Sequence, residues 1–147
     1  MANILVIHGP NLNLLGEREQ SIYGKQSLED INRGMVDKAV EYQVTVECFQ
    51  SNHEGDIVDR IQAARGKFDA MIINAAAFTH YSIAIADALR SFKGPIVEVH
   101  ISNIYQREEY RHNSVISAVA TGGIFGLGTQ GYQLALQAVV KMLKESQ

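Results

Sequence analysis

Glu98 and His100 stand two apart in the run "EVH", and residues two apart on a strand share a face. A carboxylate beside an imidazole fixes its tautomer and stabilises its protonated form, which makes a general acid. The plainer alternative is a polar strand end that meets solvent. Arg107 and Arg111 in "REEYR" lie four apart, on one face wherever that piece is helical, with Glu108 and Glu109 at hand to neutralise them. Upstream, "HGPNLNLLGEREQSIYG" places Arg18 five residues before Tyr23 in a segment otherwise built mainly from Asn, Gly and Leu. A free phenol has a pKa of about 10, so tyrosine is a poor base until neighbouring cations stabilise its phenolate. A permanently charged arginine is the right neighbour. Failing that, Tyr23 is a packing residue between Ile22 and Gly24.

Other polar residues suit an anionic ligand. Asn74, Thr79 and Ser82 surround His80 between a strand end and a helix start, where free backbone amides favour anions. Either hydroxyl could instead cap the helix. The "ISN" of Ile101 to Asn103 offers similar donors to a carboxylate. Asp87 interrupts the apolar "SIAIADALR", where it either pairs with Arg90 or faces a neighbouring subunit. Glu17 and Glu19 flank Arg18 in a loop long enough to form a polar lid.

Several chemistries are disfavoured. Gly126-x-Gly128-x-x-Gly131 matches a dinucleotide fingerprint, yet it follows the last expected strand, with neither a further βαβ unit nor an acidic ribose ligand downstream. The five histidines show neither His-Glu-x-x-His nor paired spacing, which argues against a metal site. No Walker lysine motif occurs, and the first apolar run lacks the acidic cluster of a phosphorylatable receiver.

These residues need elements to position them. Apolar runs at Asn3 to His8, Val44 to Phe49, Ala70 to Asn74, Pro95 to His100 and Val115 to Thr121 predict five strands. Between and after them come segments of helical spacing. One begins at a Ser27 N-cap with Asp30 three residues on, buries Leu28, Ile31, Met35 and Ala39, and runs to about Tyr42. A second buries Ile57, Ile61 and Ala64 and ends near Gly66; a third spans about Ser82 to Phe92, and a fourth starts near Gln130. The alternation predicts an α/β fold, a flavodoxin-like three-layer sandwich around a five-stranded parallel sheet. In such sheets ligands bind outside the carboxyl ends of the strands. Asn11, Arg18 and Tyr23 follow the first strand, Asn74 and His80 the third, Glu98 and His100 finish the fourth, and Arg107 and Arg111 come just after, so one pocket could collect them all.

A chain of 147 residues, 46% hydrophobic, suits one domain spanning 1–147. A net charge of −3 supplies no broad basic surface for nucleic acid. Cys48 is alone, no basic leader precedes Ile4 to Ile7, and no apolar run approaches the roughly 20 residues of a membrane span. A soluble, cytoplasmic protein is expected, without membrane or nucleic-acid partners.

"GPNLNLLGERE" with Tyr23-Gly24, "QSNHEG", "NAAAFTHYSIAIADAL", "EVHISN", "REEYRHNS" and "GLGTQGYQLAL" together resemble the type II 3-dehydroquinases, from the first strand to the last helix. The resemblance implies dehydration of 3-dehydroquinate to 3-dehydroshikimate by anti elimination through an enolate, with neither metal nor organic cofactor. It assigns Tyr23 as the base, Arg18 and Arg107 as the cations that make its phenolate available, and Asn11 as holder of a water on the enolate oxygen. His100, oriented by Glu98, would protonate the departing hydroxyl. Asn74, Ser102 and the Ile101 amide would bind the substrate carboxylate, and His80 and Arg111 the ring hydroxyls. The resemblance further implies a homododecamer built from trimers, with Asp87 reaching a neighbour's site. The chain departs from the family pattern at His8, commonly Asn, at Gln20, frequently Pro, at Ala75 and Ala76, commonly Pro-Gly, and at Phe78, usually Tyr. Two other classes compete: a flavodoxin-like module that binds a small carboxylate unchanged, and a non-catalytic scaffold.

Overall fold

The computed structural model describes residues 1–147. Five parallel strands form one sheet: β1 (Asn3–His8), β2 (Thr45–Gln50), β3 (Ala70–Asn74), β4 (Ile96–His100) and β5 (Gly122–Phe125), in the order β2-β1-β3-β4-β5. That is the flavodoxin strand order. Helices α2 (Leu28–Tyr42) and α5 (Gln130–Glu145) cover one face, and α3 (Glu54–Ala64) and α4 (Ile83–Arg90) the other; α1 (Gln20–Tyr23) is a single turn between β1 and α2.

Period-two alternation sorts the core. Ile4, Val6, Ala70, Ile72, Val97 and Val99 pack toward α2 and α5, while Leu5, Ile7, Met71, Ile73 and Ile96 pack toward α3 and α4. Both faces are covered, so these central strands are apolar at nearly every position. Helix α2 begins as expected: Ser27 Oγ accepts from the Asp30 amide and Asp30 Oδ2 from the Ser27 amide, each at 3.1 Å. Its predicted face is observed, with Ile31, Met35 and Ala39 buried and Leu28 packed against them. Ser82, rather than Thr79, caps α4 by accepting from the Ile85 amide at 3.1 Å.

The fifth strand differs from expectation. Residues 115–121 form a turn, and the strand is Gly122–Phe125. The apolar character of the earlier segment serves another purpose: Ile116 is fully buried against the α3/α4 core, and the Val119 and Ala120 amides both donate back to its carbonyl. The Thr121 hydroxyl then accepts from the Ile96 amide at 3.0 Å and hands the chain to the sheet. β2 also starts one residue later than predicted, at Thr45, and α4 is shorter at both ends.

His8 ends β1 fully buried, its Nε2 2.8 Å from Asn32 Oδ1 and its ring 5.4 Å from that of Tyr132. Burial pushes the imidazole down to about 4, only partly opposed by the Asn32 hydrogen bond. The unfolded chain takes up this proton near pH 6.5 and the fold resists it until about 4, so stability falls as pH drops across that window. Chemical denaturation at pH 7 and again near pH 4.5 should show a loss of roughly 2 to 3 kcal/mol from this group. His8→Asn should make the decline shallower by that amount; an equally steep decline would place the acid sensitivity elsewhere.

Candidate active site

The strand order reverses between β1 and β3, and the chain segments leaving these two strands diverge around a crevice at their carboxyl ends. A cavity of about 130 Å³ lies there, lined by Asn11, Arg18, Tyr23, Asn74, His80, His100, Ile101, Ser102, Arg107 and Arg111. A larger hollow of about 580 Å³, between Arg65, Phe68, Asp69 and Lys93, contains neither a histidine nor a tyrosine. Chemistry therefore favours the smaller space.

Tyr23 closes α1 and is followed by Gly24 at φ 81° and ψ −174°, a positive-φ conformation that glycine adopts without strain. Arg107 Nη1 donates to Tyr23 Oη at 2.6 Å and to Ser102 Oγ at 3.3 Å. Arg18 does not touch the hydroxyl. Its guanidinium carbon lies 5.1 Å from the ring centroid, its Nη1 pairs with Glu19 Oε2 at 2.5 Å, and its buried Nε has no partner. Arg107 and Arg111 also reach the cavity differently from a shared helical face. Two separate 3₁₀ turns, Ile104–Gln106 and Glu109–Arg111, leave Arg107 extended between them. Arg111 Nε donates to Glu108 Oε2 at 3.2 Å, so its counter-charge sits on the solvent side.

His100 and Glu98 share a strand face and are both buried. Nε2 lies 2.5 Å from Glu98 Oε2. An ionised carboxylate only accepts, so Nε2 carries the hydrogen and Nδ1 is the nitrogen left for chemistry. Glu98 does not line the cavity; it stands behind His100, where Ser114 Oγ donates at 2.7 Å and Ser117 Oγ at 2.5 Å. Burial alone would raise this carboxyl, but hydrogen bonds from His100, Ser117 and Ser114 outweigh it and hold Glu98 below the usual range.

His80 has the opposite environment. Its Nδ1 lies 2.8 Å from the Asn113 carbonyl, which can only accept, so the neutral ring offers Nε2 as an acceptor. Partial burial lowers its proton affinity, against that hydrogen bond, and the nearby His100 and Arg111 lower it further. Asn74 is pinned at both ends: Nδ2 donates to Tyr132 Oη at 2.8 Å, and Oδ1 accepts from the Ala76 amide at 3.0 Å. One Nδ2 hydrogen remains for a ligand. Tyr132 is fully buried without a cation, and burial holds its hydroxyl well above an ordinary phenol. Asn11 sits at φ 68°, its amide donating to Asn52 Oδ1 at 2.9 Å, while Gln50 Nε2 ties Asn52 to the Gly9 carbonyl.

Asp87 lies outside the cavity on the outer side of α4, paired with Arg90 at 3.0 Å. Ser114, Ser117, Asn52 and Tyr132 are the supporting residues that the sequence reading did not single out. The runs "QSNHEG", "REEYRHNS" and "GLGTQGYQLAL" contain Asn52, Ser114 and Tyr132 but attach no role to them, and Ser117 lies in none of them.

A doubly wound parallel sheet whose switch point gathers an arginine-bound phenol, a carboxylate-backed imidazole and amide donors defines an acid–base site for a small anionic molecule. The family model described as Dehydroquinase class II matches residues 2–140. A 3-dehydroquinate dehydratase from Halothermothrix orenii is 52% identical over 145 residues, covering 99% of this chain and 98% of its own. The crystal structure of type II dehydroquinase from Butyrivibrio crossotus superposes with a TM-score of 0.92 at 47% identity, covering 94% of this chain and 97% of that one. Its counterpart from Propionibacterium acnes gives 0.93 at 45% identity over 96% and 97%. The chain belongs to the class II dehydroquinase family.

Two backbone constraints hold the Asn74 loop. A Cβ on Gly9 would stand 2.4 Å from the Ala75 carbonyl oxygen, so Gly9→Ala must displace that backbone and should cost about 1 to 3 kcal/mol. Ala76 sits at φ 51°, a left-handed conformation that glycine takes without penalty, so Ala76→Gly should stabilise by about 1 kcal/mol. Denaturant midpoints measured side by side test the opposite signs; two shifts of the same sign would refute the account of this loop.

Proposed function

We propose that the chain is a 3-dehydroquinate dehydratase, a lyase that converts 3-dehydroquinate to 3-dehydroshikimate and water. The observation that carries this reading is the 2.6 Å contact of Arg107 with the Tyr23 hydroxyl, in the same cavity as the carboxylate-backed His100. With guanidinium charge on its oxygen and a second guanidinium over its ring, Tyr23 as phenolate takes the proton beside the ketone. The electron pair moves onto the carbonyl oxygen as an enolate, which a water held by Asn11 stabilises. Collapse of the enolate breaks the carbon–oxygen bond on the opposite face, and protonated His100 gives its proton to the leaving hydroxyl, which departs as water. Proton exchange with solvent resets both groups.

The remaining assignments follow the chemistry of each group. Asn74, Ser102 and the Ile101 amide bind the substrate carboxylate; Asn74 has a free N–H for it. Neutral His80 accepts from a ring hydroxyl that Arg111 also holds. No metal or organic cofactor takes part in these steps. One dehydroquinase domain spans 1–147 and works in the cytoplasm, in the shikimate pathway or in quinate breakdown, without membrane or nucleic-acid partners. Twelve copies assemble from trimers, and Asp87 completes a neighbour's site. In support, Asp87 is 65% exposed beside Ile83 at 67%, and Tyr81 just before α4 is 62% exposed, an apolar surface suited to a second copy.

Purified protein should convert 3-dehydroquinate to a conjugated enone, followed by ultraviolet absorption, at the same rate with and without chelator. Tyr23→Phe should lower kcat by about 100- to 10,000-fold with little change in KM. Full activity in that variant would remove Tyr23 as the base. Saturable binding of dehydroquinate with no product, in the unaltered protein, would overturn the enzyme reading in favour of a binding module.

A further inference from the structure

The cluster behind His100 has a role beyond packing. We infer that Ser114, assisted by Ser117, is a positioning residue for the acid step: its hydroxyl holds Glu98 in the ionised, fixed orientation that keeps the His100 hydrogen on Nε2. The inference rests on the proposed function for its kinetic readout, and on geometry for the rest.

Glu98 is buried, so an ionised carboxylate there needs donors to replace water. Oε2 receives two, His100 Nε2 at 2.5 Å and Ser114 Oγ at 2.7 Å, and Oε1 receives Ser117 Oγ at 2.5 Å. A serine hydroxyl can donate or accept, and the structure shows which way Ser114 turns. Its oxygen accepts from the Ser117 amide at 3.1 Å, leaving its hydrogen for the carboxylate. Directed in this way, Ser114 favours the charged form of Glu98, because a hydrogen bond to a full negative charge is stronger than one to a neutral carboxyl. Three donors already surround the group, so a proton on it would have to compete with them for a partner.

The segment that carries the serines is itself anchored. The Val115 amide donates to the Thr79 carbonyl at 2.9 Å and Ile116 is buried in the core, so Ser114 cannot drift from Glu98 without extracting a core side chain. The same stretch of chain delivers Arg107 and Arg111 to the cavity. Ser117 lies at the exposed edge, where a water can replace its hydroxyl, whereas Ser114 is half-buried and bonds the oxygen that His100 uses. The two serines therefore differ in weight.

The test uses the full chain with ¹⁵N-labelled histidine, in Ser114→Ala, Ser117→Ala and the hydroxyl-retaining Ser114→Thr. Ser114→Ala should lower kcat on 3-dehydroquinate about 10-fold with KM unchanged, and should move the acid limb of the kcat profile up by about one pH unit, because Glu98 takes a proton earlier once a donor is lost. Ser117→Ala should show a smaller change of the same sign, and Ser114→Thr should restore both values. The ring-nitrogen signals of His100, which report its hydrogen bond to ionised Glu98, should change at a correspondingly higher pH in Ser114→Ala. A wild-type pH profile together with unchanged His100 signals in Ser114→Ala would overturn the inference. Wild-type protein without turnover would defeat the proposed function instead, and the His100 signals would then decide this inference alone. If Ser114→Ala does not fold, Ser117→Ala decides it through the sign of its pH shift.

Discussion

The Gly9 amide donates to the Asn74 carbonyl at 2.8 Å, extending the β1–β3 pairing one residue past the strands, and the site depends on that bond. It clamps the two loops that flank the switch point before they part. From Gly9 the chain turns through Asn11 and on to Arg18 and Tyr23; from Asn74 it turns through the strained Ala76 toward His80. Only a residue without a side chain allows this approach, since a Cβ on Gly9 would overlap the Ala75 carbonyl. The clamp also explains why strain is tolerated at Ala76: its amide is the donor that fixes Asn74 Oδ1, so relaxing the backbone would free the carboxamide.

Against that fixed edge the third contribution comes from far along the chain. Arg107 lies 84 residues from Tyr23 in sequence and 2.6 Å from its hydroxyl in space. The loop after β4 reaches over the β1 loop to make that contact, then returns through Ser114 and Ser117 to Glu98. One excursion of the chain thus supplies the cation on the phenol and the donors on the carboxylate behind the imidazole. The phenol and the imidazole are mechanically linked through the segment 101–117.

What the sequence revealed follows from the range of the forces involved. β1, β3 and α2 were legible because alternation and capping are local: "NILVIH" and "SLED" carry their own instructions. The Glu98/His100 pair was legible for the same reason, since two residues on one strand must share a face. β5 was not, because Gly122 and Gly123 look like a turn while the apolar residues just before them are drawn into the core instead. The choice of Arg107 over Arg18 as the hydroxyl's partner was equally hidden. Adjacent Glu19 holds Arg18, a local pair that the sequence displays, while the contact that matters joins two loops across the sheet edge. Ser114, Ser117 and Tyr132 are common residues whose importance arises only from what they face.

The contrast between like residues shows how environment, rather than composition, sets the chemistry. Tyr132 and Tyr23 are held in opposite surroundings. Tyr132, buried against Asn74 with no cation near its oxygen, is held as a neutral phenol and serves as scaffold, whereas Tyr23 has a guanidinium on its oxygen and another over its ring. His8, His80 and His100 show the same contrast. His8 is sealed from water and kept neutral by burial, and His80 is bound through Nδ1 to a carbonyl that leaves its Nε2 an acceptor. Only His100 has a buried carboxylate against Nε2, the one arrangement of the three that fixes the ring through an acid and leaves its second nitrogen uncommitted. His80 and His100 line the same cavity, the first with Nε2 free as an acceptor and the second with its Nε2 hydrogen committed to the carboxylate behind it, so two like rings present different atoms to whatever enters.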